Sequence, residues 1–105
     1  MIMGQNIQMI SDFYCTQCGS QGLPVVRTAK HAREPGHLKK LYCPKCRVQT
    51  NMVEIRDYGQ YKKEDFLMEF KYGNFDEEGK RKDPSWRHFI GEINNKIDKG
   101  ELDER

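Results

Sequence analysis

The hydrophobic positions change their period partway along the chain. Up to about residue 57 the apolar residues come in short runs punctuated by Gly, Pro and charge, which reads as strands. Phe13-Tyr14 predicts a strand at about 11–15, with residues 1–10 loosely ordered or paired at an edge. Gly22 to Thr28 is β-branched, and Pro24, lacking an N–H, confines it to a sheet edge. Leu38 to Tyr42 and Arg47 to Ile55 complete the strand set, the latter alternating at Val53 and Ile55. Between Thr28 and Leu38, Pro35-Gly36 marks a turn, so residues 29–37 are expected as a mobile loop or hairpin tip.

From residue 61 the period lengthens to that of a helix. Phe66, Leu67 and Phe70 form one stripe over 61–72, with Lys62, Lys63, Glu64 and Glu69 on other faces, and Gly73-Asn74 ends it. Residues 74–83 are charged and glycine-punctuated, a loop or small hairpin. Asp83-Pro84 then offers an N-cap and a first-turn proline for a helix over 84–98. Trp86, Phe89, Ile90, Ile93 and Ile97 recur along it until Gly100, and residues 101–105 are expected to fray.

Four cysteines change this picture more than any other feature. Cys15-Thr16-Gln17-Cys18-Gly19 is answered by Cys43-Pro44-Lys45-Cys46 across 24 intervening residues. Each Cys-X-X-Cys can place two thiolates on one ion, and two such pairs complete a tetrahedral sulfur shell. Gly19 supplies the tolerance for positive φ that such a knuckle commonly needs. One structural zinc ion held by Cys15, Cys18, Cys43 and Cys46 is the expected reading; four-thiolate iron shares the spacing. Two disulfides would want an oxidising compartment, yet residues 1–10 lack the basic start and long apolar run of a secretory signal. A redox Cys-X-X-Cys opens a helix in a βαβ unit and needs no second copy. His31 and His37 are spare ligands in principle, but four thiolates suffice.

Composition sets the scale and divides the chain. With 105 residues, 36% hydrophobic and 32% charged, a thin core needs the folding energy a metal cross-link contributes. No run of about 18 apolar residues exists, so no membrane span is expected and the chain reads as cytoplasmic. Residues 1–56 carry eight Lys/Arg against three Asp/Glu, residues 57–105 ten against thirteen. The two halves therefore offer opposite fields.

The candidate chemistry follows from that division. A closed four-sulfur site leaves no position for water, and no His-X-Glu, His-Glu-X-X-His or phosphate-cradling glycine loop is present. Neither an enzyme nor a small-molecule substrate is expected. Asp76-Glu77-Glu78 reads as a charged loop before it reads as a cation site. The segment between the knuckles is the basic one: Arg27, Lys30, Arg33, Lys39 and Lys40, with His37, form a candidate nucleic-acid contact, and Tyr42 a stacking surface. The bland reading is a hairpin kept soluble by its lysines. Trp86, Phe89, Ile90 and Ile93 are expected chiefly as core, and in the alternative as a helix face laid on another protein.

The runs SDFYCTQCGSQGLPVVR, REPGHLKKLYCPKCRVQTNMVEIRDYG and YKKEDFLMEF resemble small phage- and prophage-encoded proteins of Gram-positive bacteria. The resemblance covers roughly Ser11 to Phe70, and Gly36 to Cys43 is its most specific part. It implies a zinc ribbon carried by a phage and working in a host cytoplasm. The knuckles are also similar to zinc ribbons of transcription and replication proteins, which contact nucleic acid or polymerase.

The expected architecture is a small, metal-stabilised α+β fold: an antiparallel zinc ribbon (1–57) followed by two C-terminal helices in an extension (58–105) that packs on it. The expected function is a non-catalytic module binding nucleic acid through the basic loop. The alternative is a phage factor that inhibits or redirects a host complex, such as polymerase or a defence nuclease, through its helices and acidic half.

Overall fold

A computed structural model describes residues 8–28, 34–56 and 59–102. Four strands, β1 (Gln8–Cys15), β2 (Val25–Thr28), β3 (Leu38–Cys43) and β4 (Val48–Arg56), precede two helices, α1 (Lys63–Lys71) and α2 (Trp86–Asp98). The strands form one antiparallel sheet in the order β2-β1-β4-β3. β2 is an edge, as Pro24 requires; β1 begins three residues earlier than its hydrophobic run suggests, because Gln8 pairs with Thr28.

Both faces of the sheet are covered, which explains why Phe13-Tyr14 and Met52-Val53 are buried as consecutive pairs rather than alternating with polar residues. One face holds Phe13, Cys15, Cys43 and Met52, with Cys18, Val25, Leu41 and Cys46 around them. The other holds Tyr14 and Val53 with Tyr61 and Phe66, flanked by Leu38, Ile55, Phe75 and Trp86. The 61–102 segment therefore covers one face while the knuckles close the other. Neither cluster is large, and full burial of a Phe such as Phe66 contributes only about 2–3 kcal/mol.

The helices depart from their sequence patterns in instructive ways. Tyr61 lies before α1 and enters the core, so the helix starts at Lys63, where Asp65 accepts the Lys62 N–H at 2.8 Å. On α1, Phe66 is buried, but Leu67 is 48% exposed while Glu69 is wholly buried. The inward face thus runs through 66 and 69, not through 67. Helix α2 starts at Trp86 with Ser85, not Asp83, as its N-cap: Ser85 Oγ accepts the His88 N–H at 3.2 Å. Asp83 instead accepts from the Ser85 N–H and holds the His88 ring at 2.7 Å. Phe75 bridges to Arg81, making 75–81 the small hairpin that its glycine and acids allow. Asp76 closes that turn by accepting the Glu78 and Lys80 N–H groups.

The Pro35-Gly36 turn is not a free tip. Trp86 Nε1 donates to the Pro35 carbonyl at 3.1 Å and Arg81 Nη1 to the Gly36 carbonyl at 2.5 Å. Gly36 has φ +73, and a Cβ there would meet the Tyr61 ring at 2.9 Å. The C-terminal half grips the turn too closely for any side chain.

Candidate metal centre and the surface it carries

The two knuckles share a backbone design. In the first, the Gly19 N–H closes on the Cys15 carbonyl at 2.8 Å; in the second, the Arg47 N–H closes on Cys43 at 2.7 Å. The residue after each second cysteine is left-handed, Gly19 at φ +78 and Arg47 at φ +63. Amide N–H groups of Gln17 and Cys18 point at Cys15 Sγ (3.3 and 3.5 Å), and that of Cys46 at Cys43 Sγ (3.4 Å). Thr50 Oγ1 lies 3.1 Å from Cys15 Sγ. These are the donors that offset thiolate charge around a metal.

All four sulfurs lie within 4.8 Å of one another, and none is in a disulfide. Cross-knuckle separations are 3.9 Å for Cys15–Cys46 and 3.7 Å for Cys18–Cys43. A tetrahedral shell with metal–sulfur bonds of about 2.3 Å has sulfur–sulfur edges of about 3.8 Å, whereas a disulfide closes to about 2.05 Å. The donors fit one metal ion. Their proximity couples their acidities: burial and hydrogen bonding with Cys18, Cys43 and Cys15 push the Cys46 thiol up to about 12. Burial also opposes ionisation of Cys18, but hydrogen bonds from Ser20, and then from the neighbouring thiols, outweigh it and bring that thiol down to about 6. Four sulfurs this close carry full charge together only around a cation.

The remaining expected contact residues divide. Lys39 and Lys40 are exposed on β3, the strand that ends at Cys43. Arg27 lies in β2. Lys30, His31 and Arg33 lie outside the described residues. His37 faces inward: its Nε2 meets Glu54, whose other carboxylate oxygen accepts from Ser11 Oγ and from Arg56 Nε at 3.1 Å. Burial works against ionising Glu54, yet the hydrogen bonds from Ser11, His37 and Arg56 outweigh it and hold the carboxyl below its ordinary value. Trp86 packs edge-on against Tyr61 at 4.9 Å, Ile93 is buried, and Phe89 and Ile90 are half-buried.

A second buried polar group escaped the sequence reading. Glu69 accepts from Tyr61 Oη (2.7 Å), Asn74 Nδ2 (2.5 Å) and both Arg81 Nε and Nη2 (2.8 and 2.9 Å). Burial and the Glu69 carboxylate push the Tyr61 phenol well up. For Arg81, burial is outweighed by that same carboxylate, which raises the guanidinium further. No periodicity flags such a pair, because Glu69 and Arg81 each look like a solvated charge. The sole hint was Glu69 falling three residues after Phe66 on the helix.

Comparison with family models, with curated proteins and with solved structures gave no match to this chain. Among the described residues, no helix is long and apolar enough to cross a membrane.

Proposed function

We propose that the chain is a non-catalytic zinc-ribbon module that contacts nucleic acid through the basic segment between its cysteine pairs. The observation that carries this reading is the placement of Lys39 and Lys40, exposed on an edge strand whose last residue is the metal-ligating Cys43. An ion at the base of that strand fixes the register in which the lysines are shown. Arg27, Lys30 and Arg33 add cations to this segment in the sequence; His37, turned to Glu54, belongs to the scaffold. Zinc suits four thiolates in a closed shell, which leaves no coordination site for a substrate or water. Thiols kept free for a metal suit a reducing cytoplasm. The phage-protein resemblance supports the cytoplasm of a bacterial host. The helices serve this reading as scaffold, since Trp86 and Ile93 are engaged within the chain.

Native mass spectrometry of the purified protein should show one zinc per chain. Electrophoretic shifts should show DNA or RNA binding that weakens steeply as salt rises. Charge reversal at Lys39 and Lys40 should abolish the shift, and an unchanged shift would sink the proposal.

A further inference from the structure

The hairpin formed by β3, the second knuckle and β4 carries, among its cations, an exposed ring that the phosphate-binding reading does not use. From Leu38 to Val53 it carries Lys39, Lys40, Lys45 and Arg47 and no acid. All four cations are exposed. In their midst Tyr42 stands 56% exposed, on the same sheet face as Lys40. The β3–β4 register sets Tyr42 directly opposite Gln49 and Lys40 opposite Asn51. An exposed ring on a cationic edge strand offers a flat face on which an unpaired base can stack.

Beside this platform runs an open groove of about 650 Å³, lined by Lys40, Gln49, Asn51 and Gln17 on the sheet side. Its far wall is the 76–80 turn, held in place where Gln17 Nε2 donates to the Glu77 carbonyl and Asn51 Nδ2 to the Glu78 carbonyl, each at 2.8 Å. That wall presents Glu77 and Glu78, with Lys80 paired to Glu78 at 3.3 Å. The two walls differ in sign. Phosphates are repelled by the acidic turn and attracted to the β3 edge, so a bound strand has its backbone along Lys39, Lys40, Lys45 and Arg47 and its bases turned toward Tyr42 and the groove.

We infer that this hairpin binds single-stranded nucleic acid, with a base stacked on Tyr42 and the amide of Gln49 within reach of that base's edge. The inference rests on the nucleic-acid reading above and narrows it. A duplex keeps its base faces stacked on one another and offers Tyr42 nothing, whereas an unpaired base has a free π-face. Discrimination by stacking is tolerant of sequence, so the preference is for strandedness first.

The test is fluorescence anisotropy on the zinc-loaded protein, with labelled oligothymidylate as the single strand and its oligoadenylate hybrid as the duplex. The wild type should bind the single strand at least roughly tenfold tighter than the hybrid. Tyr42→Ala should lose roughly tenfold or more for the single strand and nothing for the hybrid, while Tyr42→Phe, which keeps the ring, binds as the wild type. Lys40→Glu should weaken both probes and flatten the salt dependence. Circular dichroism and zinc content unchanged in each variant would show that the fold persists. If Tyr42→Ala binds the single strand as the wild type does while Lys40→Glu does not, stacking is overturned and phosphate contact stands. Equal affinity for both probes likewise overturns the single-strand preference. Binding to neither probe overturns both readings together.

Discussion

Arg47 shows what the second knuckle costs at the level of one residue. It occupies with a side chain the left-handed position that Gly19 occupies without one. Arg47→Gly should relieve that strain and stabilise the protein by about 0.5–1 kcal/mol, the steric gain being partly offset by glycine's larger unfolded-state entropy. Gly19→Ala should do the opposite. It adds a Cβ at φ +78 that meets the Phe70 ring at 3.0 Å, so a loss of about 1–2 kcal/mol is expected before that ring shifts. Urea midpoints at saturating zinc measure both. A third residue, Glu54, makes a pH-dependent contribution. Its carboxyl is held below the ordinary 4.5, so its stabilising share is present above that pH and is lost as pH falls through the lowered folded value. The stability difference between wild type and Glu54→Gln should therefore be largest near neutrality and shrink below about pH 4.5. Thiolate protonation in acid occurs in both proteins and cancels in the difference.

At the scale of elements, the sheet and helices are tied by polar groups as much as by apolar contact. Phe66 meets Tyr14 across the interface at 5.3 Å and Phe75 at 5.9 Å. Beside them Arg81 joins α1, through Glu69, to the turn before β3, through the Gly36 carbonyl. Its guanidinium also lies over the Tyr61 and Phe75 rings. Arg81→Met would keep volume and remove the charge, leaving Glu69 buried with only neutral donors. A loss of about 3–5 kcal/mol is expected, read from chemical denaturation. Replacing Glu69 by Gln in the Arg81→Met background should recover part of it, because the stranded charge is then gone. The same substitution should loosen the Pro35-Gly36 turn, seen as faster amide exchange at His37.

For the molecule as a whole, two small cores sit on opposite faces of one sheet, and the knuckle face has the candidate metal ligands Cys15 and Cys43 in its core with Cys18 and Cys46 packed against it. Removing the ion should therefore not simply empty a surface site. Chelation should collapse the order of the face built on Phe13, Cys15, Cys43 and Met52, with loss of strand circular dichroism and of cooperative unfolding, reversed by adding zinc. Acidification should act in the same direction, since protons compete with the metal for thiolate sulfur. A chain whose cooperative unfolding survived chelation would have to draw its stability from the helical face alone.

Much of this architecture could be read along the chain because its causes are local. Period-2 and period-3.6 patterns located four strands and two helices, Pro24 marked an edge, and paired Cys-X-X-Cys spacing picked out the four cysteines that the fold brings together. Ends slipped where a local signal had a competitor: Ser85 caps α2 because Asp83 is engaged with His88. What could not be read were the inward charges. Glu54 and Glu69 have the composition of surface residues, and nearby donors such as Arg56 and Asn74 are joined by partners from other elements that make their burial tolerable: Ser11 and His37 for the one, Arg81 for the other. The four-cysteine cluster followed from residue type and spacing, since ligand chemistry is carried by the side chains themselves. The gripped turn, the buried ion pair and the exposed ring of Tyr42 were decided by tertiary packing, since burial is a property of the neighbours and not of the residue.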